Sequence, residues 1–215
     1  MRKINKGCLY LVLSEEYGNG RPAIDIAAQA IQGGIDILQM REKHKSHEEL
    51  VRLGIELSML CHERDVTFIV NDDPYLAVMC NADGVHMGQE DILQLPIEAV
   101  RRIIGKEKII GLSTHSVEQF RKAECMDIDY IAFGPIFPTR TKDYNIGIEG
   151  IKEVVKITSK SIIFIGGINT ENLDTILAEG ASNIALIRDI MQAEDIISRT
   201  RWYKNKLMGH KDKEK

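Results

Sequence analysis

Eight short runs rich in Ile, Val, Leu and Phe recur along this chain, each followed by a longer segment with helical spacing. That alternation is the signature of parallel βα units, and it constrains the fold more than any other feature. The runs fall at 8–13, 37–40, 67–70, 84–87, 109–112, 130–133, 162–165 and 184–187, and the helical segments at 23–32, 47–64, 74–80, 97–104, 117–125, 148–157, 171–179 and 195–207. Leu50, Leu53, Leu57 and Leu60 repeat at spacings of three and four, as a helix with one buried face requires, and Ser46 precedes them as an N-cap with Glu49 three residues on. Gly33, Gly34 and Gly180 stand where left-handed C-terminal caps are expected. Eight such units can close on themselves, so the expected fold is α/β, a single-domain (β/α)8 TIM barrel over residues 1–207. Residues 208–215 are rich in Lys and poor in apolar side chains, and are expected to be a disordered tail.

The 215 residues suffice for one sizeable core, and a formal net charge of −4 argues against nucleic acid or an anionic membrane surface as partner. Any anion site must therefore be local. The apolar runs are strand-length, far below the roughly 20 residues that cross a bilayer. Cys8, Cys61, Cys80 and Cys125 are scattered without a C-x-x-C pair, which reads as buried thiols in a cytoplasmic protein. Small-molecule substrates are the expected partners, and homo-oligomerisation is left open.

In a parallel barrel, chemistry gathers at the C-terminal strand ends, so the residues that follow each run carry the functional reading. After the second run comes Gln39-Met40-Arg41-Glu42-Lys43, whose alternation sends Gln39, Arg41 and Lys43 to one side and Met40 and Glu42 to the other. Two cations and an amide there suit a diphosphate. The third run ends in Asn71-Asp72-Asp73 and the fourth leads into Gln89-Glu90-Asp91. Asp72 and Asp91, one carboxylate from each, suit Mg2+, while Asp73 before Pro74 reads as a helix cap. The fifth run gives Ser113, Thr114 and His115, and the sixth gives a proline-stiffened loop with Thr139, Arg140, Thr141 and Lys142. After the seventh, Gly166-Gly167 lets a ligand approach the backbone, and the eighth ends at Ile187-Arg188. Those last two ends form the recurrent phosphate site of such barrels. His86, inside the apolar run Val85-His86-Met87, reads as a satisfied inward-facing histidine. Trp202 and Tyr203 read as packing residues of the last helix.

Taken in order, Q-M-R-E-K, N-D-D, A-D-G-V-H-M-G-Q-E-D, G-L-S-T-H, G-P-I-F-P-T-R-T-K and I-G-G-I resemble the thiamine phosphate synthase family over nearly the whole chain. The resemblance implies the barrel fold and a transferase that condenses hydroxymethylpyrimidine diphosphate with a thiazole phosphate, with Mg2+ as cofactor. It implies Gln39, Met40, Arg41, Glu42, Lys43 and Asn71 at the pyrimidine diphosphate and Asp72 and Asp91 on the metal. Ser113 and Lys142 fall to the leaving diphosphate, and Thr139, Arg140, Thr141, Gly167, Ile187 and Arg188 to the thiazole phosphate. Arg41, Lys43, Ser113 and Lys142 are the catalytic set. Arg188 departs from the pattern, which has a small residue or serine there. A related thiazole tautomerase, which relies on a histidine, and a catalytically silent precursor-binding barrel are the competing readings.

Overall fold

In the computed structural model, which describes residues 4–139 and 144–211, every apolar run becomes a strand that pairs with the next. The strands are β1 (Leu9–Leu13), β2 (Ile37–Met40), β3 (Thr67–Asn71), β4 (Gly84–Met87), β5 (Ile109–Thr114), β6 (Tyr130–Phe133), β7 (Ser161–Ile165) and β8 (Ile184–Leu186). All are parallel, and β8 returns to β1 to close the barrel in sequence order.

Both faces of these strands are covered, which is why they read as continuous apolar runs. Leu9, Leu11 and Leu13 of β1, with Leu38 and Met40 of β2, point outward under the helices. Tyr10, Val12, Ile37, Ile69, Ile109, Tyr130 and Ile163 point inward and fill the interior, as alternate strand residues must.

The covering helices are α1 (Ala23–Gly33), α2 (His47–His62), α3 (Pro74–Met79), α4 (Asp91–Gln94), α5 (Ile97–Ile104), α6 (Val117–Glu124), α7 (Glu149–Ile157), α8 (Leu173–Ala178), α9 (Arg188–Met191) and α10 (Ile196–Lys211). At α2, Ser46 and Glu49 form the reciprocal capping box that their spacing predicts. The four-residue α4 and α9 are too short to leave a 3.6-residue period, so only the structure reveals them. Helix α8 starts later than expected because the Asn169 side chain accepts from the main-chain N–H of Glu171 (2.9 Å) and Asn172 (3.1 Å), holding that segment in a turn.

Two expectations are corrected. Helix α10 does not end at Leu207 but continues to Lys211, because Tyr203 and Leu207 are buried against the barrel and Lys206 reaches Asp174 at 2.9 Å, anchoring the turn from which the rest propagates. Residues 212–215 lie outside the described residues. Cys125 is exposed at the end of α6, where it leaves the apolar stripe; Cys8, Cys61 and Cys80 are buried, and none of the four is in a disulfide. Among the described residues no helix is long and apolar enough to cross a membrane.

Candidate active site

The C-terminal strand ends bring the described candidate residues that follow β2 to β8 to one mouth of the barrel. Gln39 points inward from β2 and is buried, its Nε2 donating to the Tyr10 hydroxyl at 2.7 Å. Met40 points the other way and is buried under α2, so its side chain does not reach the mouth. Arg41 is held by its main-chain N–H, which donates to the Leu13 carbonyl at 2.9 Å, and its charge acts on both Asp72 and His86. Strand pairing stops there. Glu42 turns toward the end of β1, where its Oε1 accepts from the Glu15 N–H at 2.7 Å, and burial pushes its carboxyl up. Lys43 lies in a bend and is exposed. Alternation had put it beside Arg41, but the strand period does not extend into a bend.

Asp72 and Asp73 are adjacent in sequence and opposite in role. Asp73 caps α3, its Oδ1 accepting from the N–H of Tyr75 and of Leu76, both at 2.9 Å. Asp72 adopts a left-handed φ of 64°, a conformation that costs a non-glycine residue energy and tends to persist at functional positions. Its N–H continues the β3–β4 pairing by donating to the His86 carbonyl at 2.8 Å, and its carboxylate is bonded by the Asn71 amide. That carboxylate meets Asp91, whose Oδ2 accepts from the Gly88 N–H at 2.9 Å. Loss of solvation, and then the charge and hydrogen bond of Asp91, push Asp72 up to about 7, with Arg41 opposing. Two carboxylates pressed together beside one guanidinium make a site that lacks positive charge. Among the described residues no group of three or more His, Cys, Asp or Glu is placed to hold a metal.

Beneath the mouth a chain of hydrogen bonds crosses the barrel interior. From Gln39 it passes to Tyr10, then from the Tyr10 hydroxyl to that of Tyr130 at 2.9 Å, from Tyr130 to His86 Nδ1 at 2.8 Å, and from His86 Nε2 to Ser113 Oγ at 2.8 Å. His86 is 8% exposed and Tyr130 0%, and burial, followed by the Arg41 charge, holds the imidazole down at about 4. Burial thus disfavours the charged imidazolium. Neither tyrosine was singled out from the sequence. The available signal was that each occupies an inward position of its strand, where a buried hydroxyl must find a partner.

The ends of β7 and β8 line a cavity of about 430 Å3 that includes Thr139, Gly167, Ile187 and Arg188. Gly166 and Gly167 have φ of 101° and 66°, and a Cβ on Gly166 would lie 2.4 Å from the Pro135 Cα, so the close packing of these loops requires glycine there. Arg188 opens α9 with its guanidinium 4.1 Å above the ring of Tyr17, which belongs to a short 3-10 turn after β1. Helix α9 is tied to α10 by Asp189, which accepts from Arg199 at 2.8 Å and from the Tyr203 hydroxyl at 2.6 Å. Arg140, Thr141 and Lys142 lie outside the described residues. A larger cavity, about 1140 Å3, opens at the opposite end of the barrel around the Asp36–Lys204 ion pair, away from every strand-end residue above.

Comparison with known proteins finds relatives of this chain. The family model described as thiamine monophosphate synthase matches residues 9–190. A thiamine-phosphate synthase of Persephonella marina is 40% identical over 199 residues, covering 92% of this chain and 94% of its own. One from Pelotomaculum thermopropionicum is 42% identical over 196 residues, covering 90% and 88%. Among solved structures, a thiamine phosphate pyrophosphorylase from Pyrococcus furiosus superposes with a TM-score of 0.86 at 33% identity, over 96% of this chain and 98% of that one.

Proposed function

Since the chain belongs to the thiamine monophosphate synthase family, we infer that it is a transferase joining hydroxymethylpyrimidine diphosphate to hydroxyethylthiazole phosphate, giving thiamine phosphate and diphosphate. The observation that carries this reading is the pairing of Asp72 with Asp91 beside Arg41, at the same mouth as the glycine-walled cavity of β7 and β8. One half suits a diphosphate with its counter-ion and the other a phosphomonoester.

In the reaction the bond from the pyrimidine's exocyclic methylene carbon to the diphosphate oxygen breaks, and the electron pair leaves with the diphosphate. The aminopyrimidine spreads the resulting positive charge over its ring. The thiazole nitrogen then donates its lone pair to that carbon, so no protein nucleophile is needed. The protein's contribution is electrostatic and positional. Arg41, Lys43 and Lys142 would offset charge growing on the diphosphate, with Ser113 and Asn71 donating hydrogen bonds, an effect that preorganised groups make worth several kcal/mol. Gln39 would orient the pyrimidine. Thr139, Arg140, Thr141, Gly167, Ile187 and Arg188 would hold the thiazole phosphate and so fix its nitrogen against the reacting carbon.

Mg2+ fits the Asp72–Asp91 pair, because it prefers one or two carboxylates plus phosphate oxygens and water to an all-protein cage. Bound there, it would neutralise the departing diphosphate. The reading includes the cytoplasm as compartment, supported by four cysteines of which none pairs with another. The test is to incubate the purified protein with both precursors and Mg2+. Thiamine phosphate should form. Isomerised thiazole phosphate without coupling, or binding of the precursors without turnover, would overturn the assignment.

A further inference from the structure

We propose that Tyr10, Tyr130 and His86 form a one-way hydrogen-bond relay that begins at the Gln39 amide and fixes Ser113 as a donor, its O–H aimed out of the barrel at the anionic leaving group. Tyr130, at the centre, is the positioning residue. The identity of that leaving group rests on the reading above; the direction of the relay does not.

The argument is a count of protons. Gln39 Nε2 donates to the Tyr10 oxygen, and each tyrosine has one proton to give. His86 is buried between two hydroxyls, and neither of its hydrogen-bond partners is a carboxylate, so a charged imidazolium would have no bonded counter-charge. A neutral imidazole donates from one nitrogen and accepts at the other. With the Tyr130 hydroxyl on Nδ1 and Ser113 on Nε2, fixing either nitrogen fixes every bond in the chain.

Two directions satisfy the count. In one, Gln39 donates to Tyr10, Tyr10 to Tyr130, Tyr130 to His86 Nδ1, and His86 Nε2–H to Ser113, which leaves the serine proton free. In the other the amide is turned, every arrow reverses, and Ser113 gives its only proton to His86. It then shows nothing but lone pairs to the mouth. The structure puts the Gln39 amide nitrogen, not its oxygen, on the Tyr10 hydroxyl, which selects the first direction, and that direction presents a proton to an anion at Ser113 where the other presents lone pairs. Burial strengthens each bond by polarising its neighbour.

The interior is shaped for this chain. The members come from five strands, and the centre depends on Gly111, which stands between His86 of β4 and Tyr130 of β6 in the register. A Cβ on Gly111 would lie 2.0 Å from Tyr130 Cζ and 2.4 Å from its hydroxyl oxygen. The His86 and Tyr130 rings stack with centroids 5.6 Å apart and planes 24° from parallel. The phenol therefore has one place to lie, with its hydroxyl between Tyr10 and His86.

The decisive measurement is 15N NMR of the ligand-free protein with labelled histidine, the His86 resonances assigned by their loss in His86→Gln. We expect a neutral imidazole protonated on Nε2. Protonation on Nδ1, or an imidazolium at pH 7, overturns the relay. The second measurement is kinetic. Tyr130→Phe keeps the ring and removes one proton from the chain, and should lower kcat about tenfold while KM for both substrates stays within about twofold. Ser113→Ala should lose a comparable factor, and the double variant should lose little more, because Tyr130 acts through Ser113. Multiplicative losses, or full activity in Tyr130→Phe, overturn the positioning role. If Tyr130→Phe fails to fold, the tautomer in the unmodified protein decides. Absence of thiamine phosphate formation by the unmodified protein would sink the functional reading and leave the tautomer result standing.

Discussion

Gly111→Ala adds one methyl group to the barrel interior, and the structure fixes what it meets. The new Cβ would sit 2.0 Å from Tyr130 Cζ and 2.4 Å from both Cε1 and the hydroxyl oxygen, whereas atoms in contact need more than 3 Å. Tyr130 is wholly buried and bonded to Tyr10 and His86, so its ring cannot swing aside without breaking both bonds. Overpacking of this kind costs about 1–3 kcal/mol. Two lost hydrogen bonds add about 1 kcal/mol each. Against this, alanine restricts the unfolded chain and returns about 0.4–1 kcal/mol where the native backbone accepts it, as it does here, since Gly111 lies inside β5 and is not among the positive-φ glycines. Sterics win, with a net loss near 3 kcal/mol, which for a chain of this length lowers Tm by roughly 6–12 °C. Urea and thermal unfolding read the loss directly. Because the clash is with one ring, Gly111→Ala combined with Tyr130→Leu should be less destabilised than the two single changes added together. A loss below about 1 kcal/mol for Gly111→Ala, or strict additivity in the pair, would refute the argument that Gly111 is cleared for Tyr130.

Three further substitutions separate roles that the sequence runs together. Asp73→Ala removes both capping bonds of α3 and should cost about 1 kcal/mol of stability while leaving Mg2+-dependent turnover in place, as unfolding curves and rates measured side by side will tell. Asp72→Asn should do the reverse: metal-free stability is not lowered, since one of two like charges is gone, and Mg2+-dependent turnover falls by at least the ~10–100-fold typical of losing an outer-shell metal contact. Equal effects from the two neighbours would contradict this division. Arg188→Ala removes the cation stacked on Tyr17 at the β7–β8 cavity, and KM for the thiazole phosphate should rise between about twofold and thirtyfold with KM for the pyrimidine diphosphate unchanged. A matched rise in both would mean that Arg188 serves general structure.

Much of the barrel was legible because closure makes each strand buried on both faces, so that Leu9 to Leu13 and Tyr130 to Phe133 stand out as apolar runs between helical segments. Strand-end chemistry was legible wherever the strand period holds. It holds at Gln39, which is why its inward direction can be read. It fails four residues later, where the chain bends at Lys43, and no local pattern warns of that. Asp72 and Asp73 are chemically identical letters; only the left-handed φ of one and the Pro74 after the other give them separate jobs, and Pro74 alone is visible beforehand.

The relay marks the deeper limit, since its members are 10, 39, 86, 113 and 130, brought together by register and by nothing local. Yet His86 already stood out as a residue that needs a partner inside the barrel. A histidine inside an apolar strand must be satisfied, and in a closed parallel barrel the partners that can satisfy it are the polar tips of other inward residues. His86 faces Gly111 in the register, Gly111 faces Tyr130, and a glycine between two such residues is the space that one of their rings must occupy. Once closure and strand order are assumed, the inward polar residues of a barrel can be paired from sequence by looking for a buried acceptor, a hydroxyl on a nearby strand and a glycine between them. Helix propensities and surface charges carry no such constraint, which is why the interior of this protein yields a sharper mechanistic statement than its mouth.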